Sequence, residues 1–458
     1  MTRKPAPGQE SAALLKIAVP LIFAYLADVL MVVTTKIVIG KLGYFELAAA
    51  GVSADIGFQL AIIVKGLFSV VGVFASEAYG ASRKNDALVA LLRGLVLAAV
   101  FGIALTAITL SLGPILALGG QDPQIIETAR PFFTAFAWSM VPATFFGVFR
   151  SFVSALMRTG FIMFITVSAV FVNYALMQGL VHGSFGLPRL GLAGAGWAWS
   201  LSIWYMCGSL AVYTAWLVRR EKLSLRGRPW VTGFRSFVPI LALGLPVAGI
   251  VALEAGLFAA VSLMSGMLGA KALAAYQMMM GWISIPFVIS LGLAEAAMVR
   301  VSYWMGAGHP AAARQAGNLG MAIGVAVPLA LVSIPLAAPW IITRAFLSPA
   351  DQGYAEIAAL VAQLLVIAAI FQVFDGLQAI ASHALRGLRD ASLPLLIAGS
   401  GYWIVGLGSS YLLAFKLGWG VIGLWWGLAL GLIFTGTLLA WRFEILARRG
   451  RYPLAAVP

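Results

Sequence analysis

The chain has 458 residues, 62% hydrophobic and 10% charged, with a mean hydropathy of +0.98 and a net charge of +14. That balance lies well outside the range of soluble globular domains. Apolar runs of eighteen or more residues recur along the whole length, so a polytopic α-helical membrane protein is expected, and the lone Cys207 excludes an internal disulfide.

In chain order, the apolar runs predict spans at about 13–39, 50–78, 87–113, 128–153, 158–182, 190–218, 238–265, 272–302, 314–340, 354–384, 393–415 and 420–446. Arg3, Lys4 and Lys16 precede the first, and no small-residue cleavage site follows it, so it reads as a retained span and not a signal peptide. That span carries Asp28, eight residues past Pro20, and the second carries Lys65 in Ile62-Ile-Val-Lys-Gly-Leu-Phe68. An ionisable group at such depth is expensive unless it is paired or functional. The connections alternate in charge: 22 of the 30 Lys and Arg fall on one side, including Arg83, Lys84, Arg150, Arg158, Arg300, Arg314, Arg386 and Arg389. By the positive-inside rule that side is cytoplasmic, both termini are inside, and the acidic connection Asp122 to Glu127 faces out. The basic charge is thus topological, and no nucleic-acid partner is expected. The stretch 219–237, with Arg219, Arg220, Lys222, Arg226, Arg228 and Arg235, reads as a cytoplasmic linker lying on the lipid surface. It separates an N-terminal six-helix lobe, 1–218, from a C-terminal one, 238–458.

The two halves repeat. Adding 226 carries Pro20 and Asp28 onto Pro246 and Glu254, Gly40, Leu42 and Gly43 onto Gly266, Leu268 and Gly269, and Ser76 and Gly80 onto Ser302 and Gly306. Later the register slips. Gly147, Ala155 and Leu156 match Gly376, Ala384 and Leu385 at 229, while Gly196 and Trp199 match Gly423 and Trp426 at 227. The fold expected is all-α, with twelve transmembrane helices in two pseudo-symmetric six-helix bundles. Two such halves, each with an acid in its first helix, outline a secondary transporter.

Polar groups inside the spans gather in the second half. Glu254, Ser262 and Ser265 share a face of the seventh span, and Tyr276, Gln277 and Ser284 lie together on the eighth. Gln372, Asp375, Gln378 and Ser382 form a stripe on the tenth at steps of three, three and four. Neighbouring carboxylates withdrawn from water hold protons more readily, which suits a proton carrier, and with hydroxyl and amide oxygens they also suit a sodium ion. Met280 and Trp282 suit an adaptable cavity wall. Glu295 and Arg300 read as a structural pair. The three histidines are too scattered for a metal site.

Several of these residues resemble a known family. Leu243-Gly-Leu-Pro246 with Glu254, Leu273-Ala-Ala-Tyr-Gln277, Phe374-Asp375-Gly376-Leu-Gln378, and Leu385-Arg386-Gly387 resemble the multidrug and toxic compound extrusion (MATE) transporters in their NorM-like branch. Ile39-Gly40-Lys-Leu42-Gly43, Asn173 and Leu187-Pro188-Arg-Leu190-Gly191 agree in the first half. The resemblance implies a membrane antiporter whose lobes form a V around a central cavity. It implies cation or proton coupling at Glu254 and Asp375, with Tyr276-Gln277 beside them, and no cofactor beyond the coupling ion, H⁺ or Na⁺. The family's first-span acid belongs to an Asp-Thr pair. Here that place holds Thr35 followed by Lys36, and Asp28 lies seven residues earlier on about the same face. Asp28 either takes over that role or pairs with Lys65 across the first two spans. The alternative for Lys65 is an acidic substrate.

The function expected is export of cationic or amphipathic organic compounds in exchange for inward H⁺ or Na⁺, by alternating access of two lobes. The substrate cavity is expected to draw on Lys65, Thr35, Asn173, Gln372, Gln378, Met280 and Trp282. The partners are a small organic substrate and membrane lipid, with the protein working as a monomer in a bacterial inner membrane. A lipid-linked saccharide flippase of the same superfamily is the alternative, and wants a strongly cationic cavity. An intramembrane enzyme needs a nucleophile–base dyad or metal ligands within spans, a spacing the chain lacks.

Overall fold

The computed structural model describes residues 6–118, 120–225, 233–350 and 353–450. The basic residues Arg3, Lys4, Arg226, Arg228 and Arg451, and with them the middle of the expected linker, lie outside the described residues. Among those described, every regular element is helical. The first half holds α1 Pro7–Gly40, α2 Tyr44–Gly80, α3 Lys84–Leu110, the short α4 Leu112–Leu118, α5 Pro123–Ala137, α6 Met140–Ala155, α7 Gly160–His182 and α8 Gly191–Arg220. The second holds α9 Val238–Met267, α10 Ala270–Gly306, α11 Pro310–Ala337, the short α12 Trp340–Phe346, α13 Tyr354–Gly387, α14 Ser392–Lys416 and α15 Gly420–Arg449.

Eleven described helices are long and apolar enough to cross a membrane, twelve if α5 and α6 form one bent span. Helices are what apolar chain must adopt in hydrocarbon, where no water satisfies a stray backbone N–H or C=O. Phe171, Val212, Leu263 and Ile404 stand on helix surfaces 72–74% exposed, a cost in water but not against lipid tails.

The chain divides into two compact units, Phe23–Ala248 and a second made of residues up to Ile22 with those from Gly249 onward. In the first unit α2 packs on α3, α5 and α6, and α7 on α8. In the second α13 packs on α10, α11 and α15. The amino-terminal end of α1 is fixed within this second unit by Glu10. Its carboxylate is fully buried and takes Arg300 Nε at 2.7 Å, Arg300 Nη2 at 2.6 Å and Trp304 Nε1 at 3.2 Å. Arg300 therefore has Glu10 as its bidentate partner, which the sequence reading did not bring to it. Sequence spacing finds only partners on the same helix.

The repeat is visible in the helix limits. α2 and α10 are both 37 residues, 226 apart at either end, and each follows a glycine with positive φ, Gly43 and Gly269 at 155° and 105°. These backbone angles are open to glycine almost alone. In the second part of each half the structure corrects the register. α6 ends at Ala155 and α13 at Gly387, each followed by a leucine and then a left-handed residue, Met157 and Arg389, both at φ 57°. That is an offset of 232, not 229. α8 and α15 are both 30 residues long and stand 229 apart, which pairs Gly423 with Gly194 rather than Gly196. Both glycines let their helix cross backbone: a Cβ on Gly194 would lie 2.3 Å from the Leu180 carbonyl oxygen, and one on Gly423 2.6 Å from Ala414 N.

The fourth span also departs from expectation. It is broken by 42° between α5 and α6. Pro142 sits in the first turn of α6 and has no N–H to give the carbonyl of Trp138, so the helix stops and restarts there. The Ser139 hydroxyl donates instead to Phe136 O at 2.7 Å.

Candidate functional site

Two polar constellations stand inside the helices, one in each unit. In the second unit, Gln372, Asp375, Gln378 and Ser382 lie on one face of α13, none more than 5% exposed. Gln378 donates its amide N–H to the hydroxyl of Tyr402 on α14. Among the described residues, neither amide atom of Gln372, nor Asp375 Oδ1, nor the Ser382 hydroxyl has a hydrogen-bond partner. Leaving such a group buried and unmet costs about 1–3 kcal/mol each. A helix that keeps several in a row is built for something other than packing.

Glu254 is half-buried on α9, within electrostatic range of Asp375, Arg386 and Tyr402. The backbone beside Glu254 is fixed from α14, where Trp403 Nε1 donates to Leu253 O at 3.2 Å. One turn further along α9, Phe258 O accepts from the Tyr276 hydroxyl of α10 at 3.2 Å. Gln277, the neighbour of Tyr276, is exposed and donates to Ser262 at 3.4 Å. Behind the polar groups Phe371 stacks edge-on against Trp425, and Tyr276 leans on the same indole. Met280 and Trp282 are half-buried and pack against that apolar cluster. Arg386 Nη1 meets His383 Nε2 at 3.2 Å, while His383 Nδ1 lies 2.8 Å from Ala379 O, so the ring donates from Nδ1 and accepts at Nε2. The unmet oxygens of Asp375 and Gln372 are hard donors of the kind that a proton or a small monovalent cation takes.

In the first unit Asp28 is engaged twice. Its Oδ2 lies 3.4 Å from Lys65 Nζ on α2 and 3.4 Å from Arg150 Nη1 on α6. Tyr25, one turn earlier on α1, offers its ring to the same two cations, with the Arg150 guanidinium 4.0 Å and the Lys65 ammonium 5.2 Å from its centre. Thr35 belongs to a separate neutral chain: it donates to Met31 O at 2.8 Å and to Asn173 Oδ1 at 3.3 Å, and Asn173 donates to Ser202 at 3.3 Å. Asp28 and Lys65 line a cavity of about 450 Å³ walled by Asp55, Gln59, Phe58, Phe136 and Trp199 among others. Of the residues expected to form the substrate cavity, Lys65 stands in this wall. Thr35 and Asn173 lie off it in their own network, and Gln372, Gln378, Met280 and Trp282 belong to the second unit.

Arg150, Arg300 and Arg386 correct the sequence reading. Each was assigned to a basic cytoplasmic connection. Each lies inside a helix, 2%, 7% and 5% exposed respectively. In the first unit, then, the acid of the first helix meets an arginine from the fourth span, Asp28 with Arg150. The signal was present, because Arg150 falls within the run predicted at about 128–153.

A family profile described as MatE matches residues 20–177 and 246–412, the two repeats. "Multidrug resistance protein NorM" of Burkholderia vietnamiensis is 35% identical over 447 residues, covering 96% of this chain and 95% of that protein. "Probable multidrug resistance protein NorM" of Pseudomonas aeruginosa is 37% identical, covering 95% and 89%. Among solved structures, the eukaryotic MATE transporter AtDTX14 superposes with a TM-score of 0.84 at 23% identity, covering 97% of this chain and 99% of that one. An outward-facing multidrug resistance MATE family transporter superposes at 0.86 and 17% identity, covering 98% and 97%.

Proposed function

The chain belongs to the MATE family, and on that premise we propose that it exports cationic or amphipathic organic compounds in exchange for inward H⁺ or Na⁺, by alternating access of two lobes. The relatives named for multidrug resistance support the cargo class. The observation that carries the coupling is the second-unit stripe, where Asp375 and Gln372 keep unmet polar atoms in a buried face within electrostatic range of Glu254. With both carboxylates ionised, the site holds two negative charges against Arg386, and passenger binds in the inward-open state. Arrival of the coupling ion on the carboxylates then favours the state that releases passenger outside. Only a difference in the ion's affinity for the two states drives such a shift. A membrane potential adds about 2.3 kcal/mol per charge per 100 mV, enough to concentrate cargo tens-fold. The carboxylates act as ion acceptors, Tyr276 and Gln277 brace α10 against α9, and Gln378 fixes Tyr402. Asp28 is left as a second acid in a structural cluster with Lys65 and Arg150. The protein is read as a monomer in a bacterial inner membrane with both termini cytoplasmic.

The test is efflux of a fluorescent organic cation from vesicles under a pH gradient and then a sodium gradient. Glu254→Gln and Asp375→Asn should each abolish gradient-driven efflux while the purified protein melts as before. Full efflux by the double variant would end the reading.

A further inference from the structure

In the second unit, the first turns of α11 and the last turn of α15 border an open cleft of about 720 Å³. The two helices meet closely beside it, since a Cβ on Gly317 would fall 2.1 Å from the Phe443 ring. Arg314, Asn318 and Leu319 of α11 line the cleft with Ala447 and Arg448 of α15, and among the described residues no carboxylate does. The acid that answers both arginines is Glu444, one turn before Arg448 and already saturated. Its oxygens accept from Arg314 Nε at 2.9 Å each, from Arg448 Nε at 2.7 Å and from Asn318 Nδ2 at 3.2 Å. Among the described residues Glu444 is the one ionic partner of Arg314 and of Arg448. Two guanidinium charges against one carboxylate leave one positive charge on the cleft. The Arg448 side chain is 67% exposed and bonds Glu444 through Nε, which leaves its paired Nη groups for a ligand. Such a fork matches the oxygens of a phosphate.

The surface leading away from the cleft is apolar. On α15, Phe434, Trp441 and Arg448 recur at steps of seven, close to one face, and both aromatic rings are exposed. Trp441 lies about 10 Å along the helix from Arg448. Tryptophan gathers at the depth where hydrocarbon meets headgroups, so the arginine beyond it stands at the level of the phosphates. On α11, Leu319, Ala322, Ala326 and Leu329 run away from the cleft at steps of three, four and three, the last three of them exposed. A free anion has no use for such a surface, whereas an acyl chain does.

We propose that this cleft binds the phosphodiester of an anionic phospholipid, held by Arg448 and Arg314, with an acyl chain along the exposed faces of α11 and α15. Basic pockets between membrane helices take lipid headgroups in this way. Glu444 opposes binding, because it competes for the same two guanidinium groups. The site is independent of what the protein transports.

The probes are dioleoylphosphatidylglycerol and dioleoylphosphatidylcholine, which share their acyl chains and differ in net charge. Native mass spectrometry of the full chain, released from nanodiscs holding both in equal amounts, counts the lipid retained. Phosphatidylglycerol is expected to be kept about fivefold over phosphatidylcholine, the scale of one surplus arginine at a lipid surface. Arg448→Gln should bring that ratio near one, and Arg448→Lys should keep most of it. Glu444→Gln should raise it by about a further fivefold, a gain that a poorly folded variant cannot imitate. Arg220→Gln, at an exposed arginine of the other unit, should leave it unchanged. Millimolar inorganic phosphate should not displace the lipid, whose chains hold it at the cleft. Equal retention of the two lipids by the native protein, a preference surviving Arg448→Gln, or a loss on Glu444→Gln overturns the proposal. An equal loss on Arg220→Gln would make the attraction a diffuse effect of basic charge, and displacement by phosphate would make the occupant a free anion; either removes the lipid site.

Discussion

Arg300 holds Glu10 through two parallel bonds of 2.7 and 2.6 Å, joining the first turn of α1 to the far end of α10. Both groups are buried, Glu10 fully, so removing one deprives the other of its bidentate ionic partner in the interior. Glu10→Gln is therefore expected to cost about 3–5 kcal/mol. Thermal melting of the purified protein checks it. A Glu10→Gln, Arg300→Met double variant should melt above the value that adding the two single losses gives, since each removes the other's penalty. Strict additivity would mean that the pair contributes nothing as a pair.

The Asp28 cluster predicts an order of effects. Arg150 is buried and Lys65 is a third exposed to the cavity, yet both stand 3.4 Å from the same oxygen. Arg150→Met should cost several kcal/mol, about the buried-pair scale, whereas Lys65→Met should cost roughly 1 kcal/mol or less because solvent screens it. Lys65→Met and Asp28→Asn should also be interdependent, with a coupling of about 0.5–3 kcal/mol. Chemical or thermal denaturation of the two singles and the double gives that term directly. Equal costs for the arginine and the lysine would contradict a ranking set by burial.

How much of this was legible beforehand follows from the range of each signal. Apolar run length placed the twelve spans because hydrocarbon thickness sets it residue by residue, and the 226-residue repeat fixed α2 and α10 end for end. The polar stripe from Gln372 to Ser382 was legible because helical periodicity is local. The partners were not. Glu10 with Arg300, Asp28 with Arg150 and Tyr402 with Gln378 are set by packing between helices distant in the chain, and no spacing rule reaches them. The positive-inside rule counted Arg150, Arg300 and Arg386 as loop charges because they lie within a turn or two of helix ends. The slip of the repeat to 232 was hidden because Gly147, Ala155 and Leu156 happen to match at 229.

A surface pair gives the pH prediction. The hydrogen bond from Lys84 holds the Glu221 carboxyl below its ordinary range against the penalty of desolvation, with Lys84, Arg158 and Arg220 adding favourable charge. A depressed folded-state value means that the unfolded chain takes up the proton first. The contribution is thus complete above the ordinary glutamate value and is lost as acid carries the pH down through the lower folded one. The Lys84 side chain is 45% exposed, so solvent screening keeps the total within about 1 kcal/mol. Melting temperatures of native and Glu221→Gln protein should differ slightly at neutral pH and converge below about pH 4. A gap that widened in acid would reverse the sign of the argument.

Two consecutive residues of α14 touch the two acid-bearing helices. Tyr402 accepts from Gln378, three residues from Asp375 on α13, and Trp403 donates to the carbonyl of Leu253, the residue before Glu254 on α9. Adjacent residues of an α-helix point about 100° apart, and both lie in the π-helical stretch Ser400–Leu407, where more residues per turn narrow that angle somewhat while keeping the two side chains on different faces. α14 therefore bridges the two acid-bearing helices without carrying an acid itself. Tyr402→Phe leaves the Gln378 amide unmet and Trp403→Phe releases the Leu253 carbonyl, each at about 1–3 kcal/mol. The larger expected effect is on coupling, because misplacing a group by an ångström can cost about a hundredfold where geometry matters. Gradient-driven efflux by Tyr402→Phe/Trp403→Phe protein should fall at least about tenfold. Exchange of labelled for unlabelled cargo across vesicles without a gradient should continue, since it needs cargo binding and not ion capture. Loss of both activities together would make α14 a general scaffold, and retention of both would remove it from the coupling site.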